Sequence, residues 1–582
     1  MSDTKRTLAA GFLIALLTLF IPFYLNLIGV DSSLEPSSHI GEISDGSLSS
    51  VPQPPPAVEV FSAQTNNLNL PSSQDLVRFS VVSNKYKAGL NNVGGGSITD
   101  FSIVDFGEKN HQYLGGYNSL GEYDDLSPVT LVNSSDPFVC SPCLEPAGQK
   151  EKLISGLFTI KDAVLYKPGF SSQVSIVGNS QTINLFDGDS LVVLMEAKTD
   201  YGNITKKTVF SNDSFIIKHF YSFGRSGDFN LIWGEGMLPT EKNLSEEITY
   251  SQAFIAQNKE IEDMSLSPSS LDDVSELVSK RGLTDWVALR NKYFINALIS
   301  NNAVGGEMEG YTRELSPGLF VPAYKVGLIL GGVSSFGVSQ YLGPLDIDLI
   351  EESNTYLDRV MNFGWLPIQP FSRSVLWVLK SLHLTGLNYG IILILFAFLI
   401  RLITGPLTKK SFQSTQKMQT VQPKMKKIQE KHKGDSQRLN QEMVKLYKTE
   451  GVNPLGGCLP MLIQMPLLFS LFIVFRSTIE FRGAPFVFWI DNLSQPDVLF
   501  NLPFYIPVYG GHVGFLPIVL GISMFLSQRL SMATMDKSQK PMMYFMTAFF
   551  FLLFNQFPSG LNLYYTVYNI LNYFQQKGLK RA

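Results

Sequence analysis

Five apolar segments crowd the last third of the chain, at about residues 387–407, 458–476, 513–529, 541–557 and 560–576. A helix needs roughly 20 apolar residues to cross the hydrocarbon core of a bilayer. The five therefore read as membrane-spanning helices. A sixth, "TLAAGFLIALLTLFIPFYLNLIG" (7–29), follows Lys5 and Arg6 and reads as an uncleaved anchor with its N-terminus in the cytoplasm. Residues 408–453 carry eleven Lys+Arg against four acids, residues 529–540 carry three against one, and the tail "KGLKRA" is basic. Alternating the spans from a cytoplasmic N-terminus puts all three basic stretches, and the C-terminus, in the cytoplasm, as the positive-inside rule requires.

The rest of the chain has the opposite charge. Up to Trp365 there are 24 Lys+Arg against 42 Asp+Glu, a net of −18, and from Leu366 onward 22 against 8, a net of +14. The same alternation places the β domain of this acidic part on the outer side of the membrane. Within the acidic part, 1–30 is the anchor, and 31–75, with "VPQPPPAVEV", is a Pro/Ser-rich flexible linker. Residues 76–345 read as an all-β domain. "LVRFSVV", "TINLFDGDSLVVLMEA" and "SFIIKHFYSF" alternate or run apolar between Gly, Asn and Asp turns, which predicts a sandwich. Residues 346–385 connect that domain to the spans. Within them, "LPIQPFSRSVLWVLKSLHL" (366–384) has the helical apolar spacing of a helix lying in the interface, with a soluble helix packed on the β domain as the alternative.

The basic loop 408–453 reads as two amphipathic helices. Met418, Val421, Met425 and Ile428 repeat at helical spacing, as do Leu439, Met443 and Leu446. Gly434-Asp435-Ser436 supplies a turn and an N-cap, and Gly451 ends the second helix. The resulting cytoplasmic hairpin is either a solvated surface near anionic headgroups or a docking surface for an incoming chain.

Two features within the spans carry chemistry. Arg401 lies in the first core span, about 12 Å deeper along a helix than Lys409. An arginine facing lipid at mid-bilayer is penalised by at least ~2.5 kcal/mol. It either snorkels to the headgroups or faces a wet cavity. The last span places Asn562, Tyr565, Asn569 and Asn572 on one face, and Gln576 continues it. Amides and hydroxyls turn inward in a membrane helix, as helix–helix contacts or as the wall of a cavity. No Asp or Glu occurs inside any span to pair with Arg401. The last two spans also look short, about 16 residues or ~24 Å each, which would thin the bilayer locally. Methionine, an adaptable contact for varied apolar partners, is concentrated after residue 408, with 11 of the 17.

Nothing in the sequence suggests an enzyme. There is no P-loop, no H-E-x-x-H, no G-x-S-x-G and no dinucleotide fingerprint. No cofactor, metal or directly bound nucleic acid is expected. Cys140 and Cys143 form a lone C-x-x-C without further metal ligands at suitable spacing, and stand as a local disulfide or as free thiols. Cys458 reads as a packed small residue.

"GVNPLGGCLPMLIQMPLLFSLF" (451–472), "APFVFWIDNLSQPD" (484–497) and "FPSGLNLYY" (557–565) closely resemble the YidC membrane-protein insertases. "LIRLITGPLTKKSFQSTQKMQTVQPKMKKIQEKHKGD" around the hairpin does so too. The resemblance covers about 365–577. The large external domain and "QYLGPLD" (340–346) resemble the Gram-negative members. It implies a multi-pass inner-membrane protein with an insertase core at 386–577, a short basic tail at 578–582 and a periplasmic, supersandwich-like β domain. It also implies a hydrophilic groove open to cytoplasm and lipid. The partners implied are nascent membrane proteins, the Sec translocon, the phospholipid bilayer and, weakly or transiently, the ribosome. The candidate groove set is Arg401, Gln464, Asn562, Tyr565, Asn569, Asn572 and Ala397, with Arg401 and Tyr565 matching the family's groove arginine and substrate-contacting tyrosine. Ala397 stands where many relatives have a threonine. A small-anion transporter and an assembly scaffold are the alternative readings.

Overall fold

The computed structural model describes residues 76–92, 96–104, 111–118, 120–134, 139, 141–147, 158–176, 178, 180–199, 202–353, 355–432, 434–452, 459–532 and 540–581. The expected anchor 7–29 and linker 31–75 lie outside these residues, as do Cys140 and Cys458. Cys143 is disulfide-bonded.

Residues 78–344 are β-rich, as their alternation predicts. An eleven-stranded sheet is built around three long antiparallel strands, Ile216–Trp233, Phe294–Ser316 and Leu319–Pro344. A five-stranded sheet holds Arg78–Val82 between Tyr86–Asn91 and the parallel strand Gln181–Asn184. In Ser190–Thr199 every second side chain, Leu191, Val193, Met195 and Ala197, is buried, and these share one core with Phe79, Val81 and Phe101 of the smaller sheet. A short helix, α1 (Leu244–Tyr250), interrupts the strands, and α2 (Ile347–Glu351) leaves the domain.

Helix α3 (Gln369–His383) follows, at the position expected of the interfacial helix. Ser372, Val375, Leu376 and Leu379 are buried, while Phe371 and Trp377 on the other face are exposed. Then come α4 (Tyr389–Lys431), α5 (Ser436–Thr449), α6 (Leu459–Ser477), α7 (Phe515–Met532), α8 (Lys540–Phe554) and α9 (Ser559–Arg581). Five of these helices fall on the five expected core spans. By length and composition alone one of them, over Tyr389–Lys410, could cross a membrane, with shorter apolar stretches at Gln464–Ser477, Phe515–Arg529 and Met543–Phe554. The polar residues of α9 keep it below that threshold.

Two expectations are corrected. The first core span and the first hairpin helix are one continuous helix of 43 residues, about 65 Å long. Pro406 and Pro423 each remove one ladder donor without ending it. The last helix is 23 residues rather than 16, because it runs through the basic tail to Arg581. Only α8, at 15 residues or ~22 Å, remains short. The hairpin turn forms as expected. Asp435 caps α5 by accepting from the Arg438 amide at 3.0 Å, and Lys424 bridges to Glu450 at 2.6 Å.

The β domain is fastened to the helical part by buried ion pairs. Arg482, in the loop after α6, donates from Nε to Glu241 at 2.6 Å. Its two terminal nitrogens donate to the carbonyls of Gln112, Leu114, Gly115 and Thr240. Arg476 and Lys292 both contact Glu246, at 2.8 and 3.2 Å. Burial opposes the charge on Lys292, but the Glu246 carboxylate and its neighbours outweigh it and raise the amine's pKa. Lys380 of α3 meets Asp346, Asp348 and Glu480. Burial, then the nearby Asp346, pushes the Glu480 carboxyl up.

Candidate functional site: a polar wall around Arg401

Helix α9 is the centre of the bundle. It packs on α7 along one side and on α4 along another, while α6 touches α4 and α9 only lightly and leans instead on α3. Its start is fixed by its own sequence. The Ser559 and Gly560 amides donate to the carbonyls of Gln495 and Leu493, and a Cβ at Gly560 would lie 2.8 Å from the Phe475 ring. The "FPSG" turn thus brings α9 against α6 at the end nearest the β domain.

Arg401 is buried. Its Nη2 donates to Asn572 Oδ1 at 2.8 Å, and its guanidinium lies 5.5 Å from the centre of the Tyr568 ring. Nε and Nη1 have no partner in good hydrogen-bond geometry among the described residues. Among the described residues no carboxylate pairs with it. Asn572 is the junction of the wall. Its Oδ1 also accepts from Gln576 at 3.2 Å, and its Nδ2 donates to Ser527 Oγ of α7 at 2.8 Å. One turn further on, Gln575 donates to the Gly405 carbonyl of α4 at 3.3 Å. Two polar rungs therefore tie α9 to α4, and one ties it to α7.

A second polar group joins α6 to α9. The Gln464 side chain of α6 faces the hydroxyls of Tyr564 and Tyr565. Gln464 Nε2 and both hydroxyls are buried and interact with one another. The Tyr565 ring packs edge-on against Phe554 and Tyr564 at 5.6 and 5.0 Å.

The expected residues separate into two groups. Arg401 and Asn572 meet between α4 and α9, and Gln464 and Tyr565 meet between α6 and α9. Asn562 does not join them: it is fully buried and donates to the carbonyls of Phe554 and Phe557 at 3.0 and 3.3 Å, closing the turn between α8 and α9. Asn569 is half-buried and donates to the Tyr565 carbonyl of its own helix at 2.9 Å. Ala397 is fully buried in the apolar core beside Phe396 and Leu393. Sequence reading missed Ser527, Tyr568 and Gln575. A readable signal for the first was the pair Ser523 and Ser527, one turn apart in an apolar span and both buried.

Burial differs between the two ends of the bundle. At the end nearest the β domain, Ser470, Leu471, Phe472, Val474 and Phe475 of α6 and Leu561 to Tyr565 of α9 are all buried. At the other end, residues 464–469 of α6 and 571–573 of α9 are half-buried. The polar wall is thus plugged by aromatic side chains at one end and loosely packed at the other.

The sequence has clear relatives. A family model described as "60Kd inner membrane protein" matches residues 380–582, and one described as "YidC periplasmic domain" matches 174–378. The "Membrane protein insertase YidC" of Chloroherpeton thalassium is 36% identical over 408 residues, covering 67% of this chain and 69% of that one. Its counterpart in Pelodictyon phaeoclathratiforme is 37% identical over 382 residues, covering 63% and 64%. A crystal structure titled as an active YidC insertase with its first transmembrane domain resolved aligns over 85% of this chain and 90% of that one, at 15% identity and a TM-score of 0.32. On the extent and identity of the sequence matches, the chain belongs to the YidC family of membrane protein insertases.

Proposed function

We propose that this inner-membrane insertase receives the polar flank of a nascent membrane protein against the wall formed by Arg401, Asn572, Ser527, Gln464 and Tyr565, and releases its apolar segment sideways into lipid. The observation that carries the reading is Arg401. It is a buried cation on a core helix, held by the Asn572 amide and the Tyr568 side chain, with no carboxylate pairing with it among the described residues. A cation so placed calls for water or for an acidic group brought by a substrate. The loosely packed end faces the basic hairpin of α4 and α5, and the aromatic plug faces the β domain. That polarity supports a groove open to the cytoplasm and closed on the other side.

The charge distribution supports the rest of the topology: both termini and the hairpin in the cytoplasm, the supersandwich-like β domain in the periplasm, and six spans counting 7–29. It also supports the division into anchor, linker, β domain 76–345, connecting helices 346–385 and core 386–577. Insertion draws on the burial of the substrate's own apolar segment, so no nucleotide site is required. The Sec translocon and a weakly held ribosome are the partners that would deliver such segments.

Site-specific photocrosslinking tests this. A photoreactive residue replaces Gln464 and, separately, Tyr565, with a ribosome-held single-span protein as probe and the exposed Ile570 as control. Crosslinks from the first two sites and not from the third are expected. Equal labelling at all three, or none at Gln464 and Tyr565, would reduce the polar wall to helix–helix adhesion.

A further inference from the structure

The loop between α6 and α7 carries a surface that neither the polar wall nor the ion-paired joint uses. From Val498 to Gln528 the sequence contains no Asp, Glu, Lys or Arg. Strands Phe500–Ile506 and Gly510–Val513 pair as a hairpin. Its ladder passes from Asn501↔His512 to Ile506↔Gly510, so Leu502, Pro503, Phe504 and Tyr505 stand opposite Gly511 alone. The bulge throws Phe504 and Tyr505 outward, 60% and 65% exposed, and Phe500 before it is 55% exposed. In the neighbouring loop Phe488 is 88% exposed and held at a φ of 61°, a conformation bulky residues rarely adopt. Its ring stacks on Trp489 at 5.8 Å.

These aromatic residues stand on a fixed support. Asp497 accepts from the Leu516 amide in the first turn of α7 at 2.6 Å, and from the Trp489 indole at 2.5 Å. Asn555, just after α8, donates to the carbonyls of Tyr509 and His512 and accepts from the Gly514 amide. Gln556 donates to the Val508 carbonyl at 2.7 Å. The hairpin is thereby tied to the first turn of α7 and to the end of α8, helices that carry exposed apolar side chains such as Ile522 and Phe545.

We propose that the Leu502–Tyr505 bulge, with Phe488 and Trp489, is seated in the phospholipid headgroup layer on the β-domain side of the bilayer. Continuity with two core helices places it at that level. The charge-free stretch Val498–Gln528, which holds the bulge, fits a neutral amphipathic layer. Depth follows from the backbone. The bulge leaves N–H and C=O groups outside the ladder, and these are not tolerated in hydrocarbon but are satisfied where headgroups and water mix. Aromatic side chains concentrate at that depth. The contact would hold the outer ends of α7 and α8 at a fixed height while α6 and α9 accommodate a substrate.

The test uses the full chain in vesicles of phosphatidylethanolamine and phosphatidylglycerol. One set contains phospholipid with a photoactivatable group at the headgroup, another with the group at the end of an acyl chain, and labelled peptides are mapped. Headgroup label on Leu502–Tyr505 is expected at least fivefold above acyl-end label, with the reverse ratio at Ile522. Phe504→Asp with Tyr505→Asp is expected to lower bulge labelling at least fivefold and leave Ile522 unchanged. Label at Ile522 with none at the bulge overturns the proposal, as does a bulge that crosslinks to a second protein in native membranes. Absence of label at Ile522 would instead overturn the bilayer crossing of α7, a distinguishable result.

Discussion

Arg482 Nε lies 2.6 Å from Glu241 Oε1, and both side chains are buried where the β domain meets the loop after α6. The two residues are 241 positions apart in sequence. The four carbonyls that surround the guanidinium use the rest of its donors, so this is a fully satisfied buried pair, the kind for which removal of one partner is expensive.

Glu241→Gln and Arg482→Met are each expected to destabilise the folded chain by about 3–5 kcal/mol, because each strands a buried charge. Thermal unfolding in detergent reads this directly. Arg482→Lys is expected to behave like a loss, since an ammonium cannot reproduce the planar fork. Removing the β domain whole should be milder than either point substitution, because Arg482 and Arg476 would then be solvated by water. A domain deletion that unfolds more readily than Glu241→Gln would contradict this.

Glu247 supplies a pH dependence. Its carboxyl is buried, and burial first, with the neighbouring Glu241 charge second, raises its pKa to about 8. The folded state therefore holds a proton that the unfolded state releases near the ordinary value of 4.5. Stability from this group is complete below that value and is lost as pH rises toward about 8. The melting temperature should fall across that window, and Glu247→Gln, which keeps an oxygen for the Thr240 amide, should flatten the fall.

Asn572 links Arg401 to Ser527. Asn572→Ala removes one hydrogen bond to a charged donor, one to the Gln576 amide and one to a hydroxyl, a loss of about 1.5–3 kcal/mol for the first. Insertion of substrates with acidic leading segments should change less with Asn572→Ala than with Arg401→Ala, which removes the charge itself. Rates for acidic and neutral variants of one substrate separate the two effects. Equal insertion of both variants by Arg401→Ala and the parent chain would remove attraction from the mechanism.

Asn555 is fully buried and holds three backbone groups of the loop before α7. Asn555→Ala leaves them unpaired, at about 1–3 kcal/mol each as an upper range. Limited proteolysis should then cut between Phe500 and Gly514 at concentrations of protease that spare the parent chain. An unchanged cleavage pattern would mean that the hairpin is held by packing alone.

The helical core was largely legible in the sequence because apolar length, basic flanks and the 3-4-3 spacing of Asn562, Tyr565, Asn569 and Asn572 are local properties. They report what each helix must do with its own faces. The β domain was legible for the same reason, through alternation in segments such as Ser190–Thr199. The continuity of α4 through Pro406 and Pro423 was not, since a proline reads locally as a stop and only the neighbouring ladder decides whether the helix resumes.

The sequence by itself determined that Arg401 has no acidic partner within a span and that one face of the last helix is polar. The tertiary structure alone decided how that face is divided. Asn562 is turned to the backbone of the α8–α9 turn and Asn569 to its own helix. Asn572, with Ser527 from a distant helix, becomes the hydrogen-bonding partner of Arg401. Spacing fixes which residues share a face, but an amide takes whichever partner the packed neighbours leave within reach, and that is a property of the assembled helices.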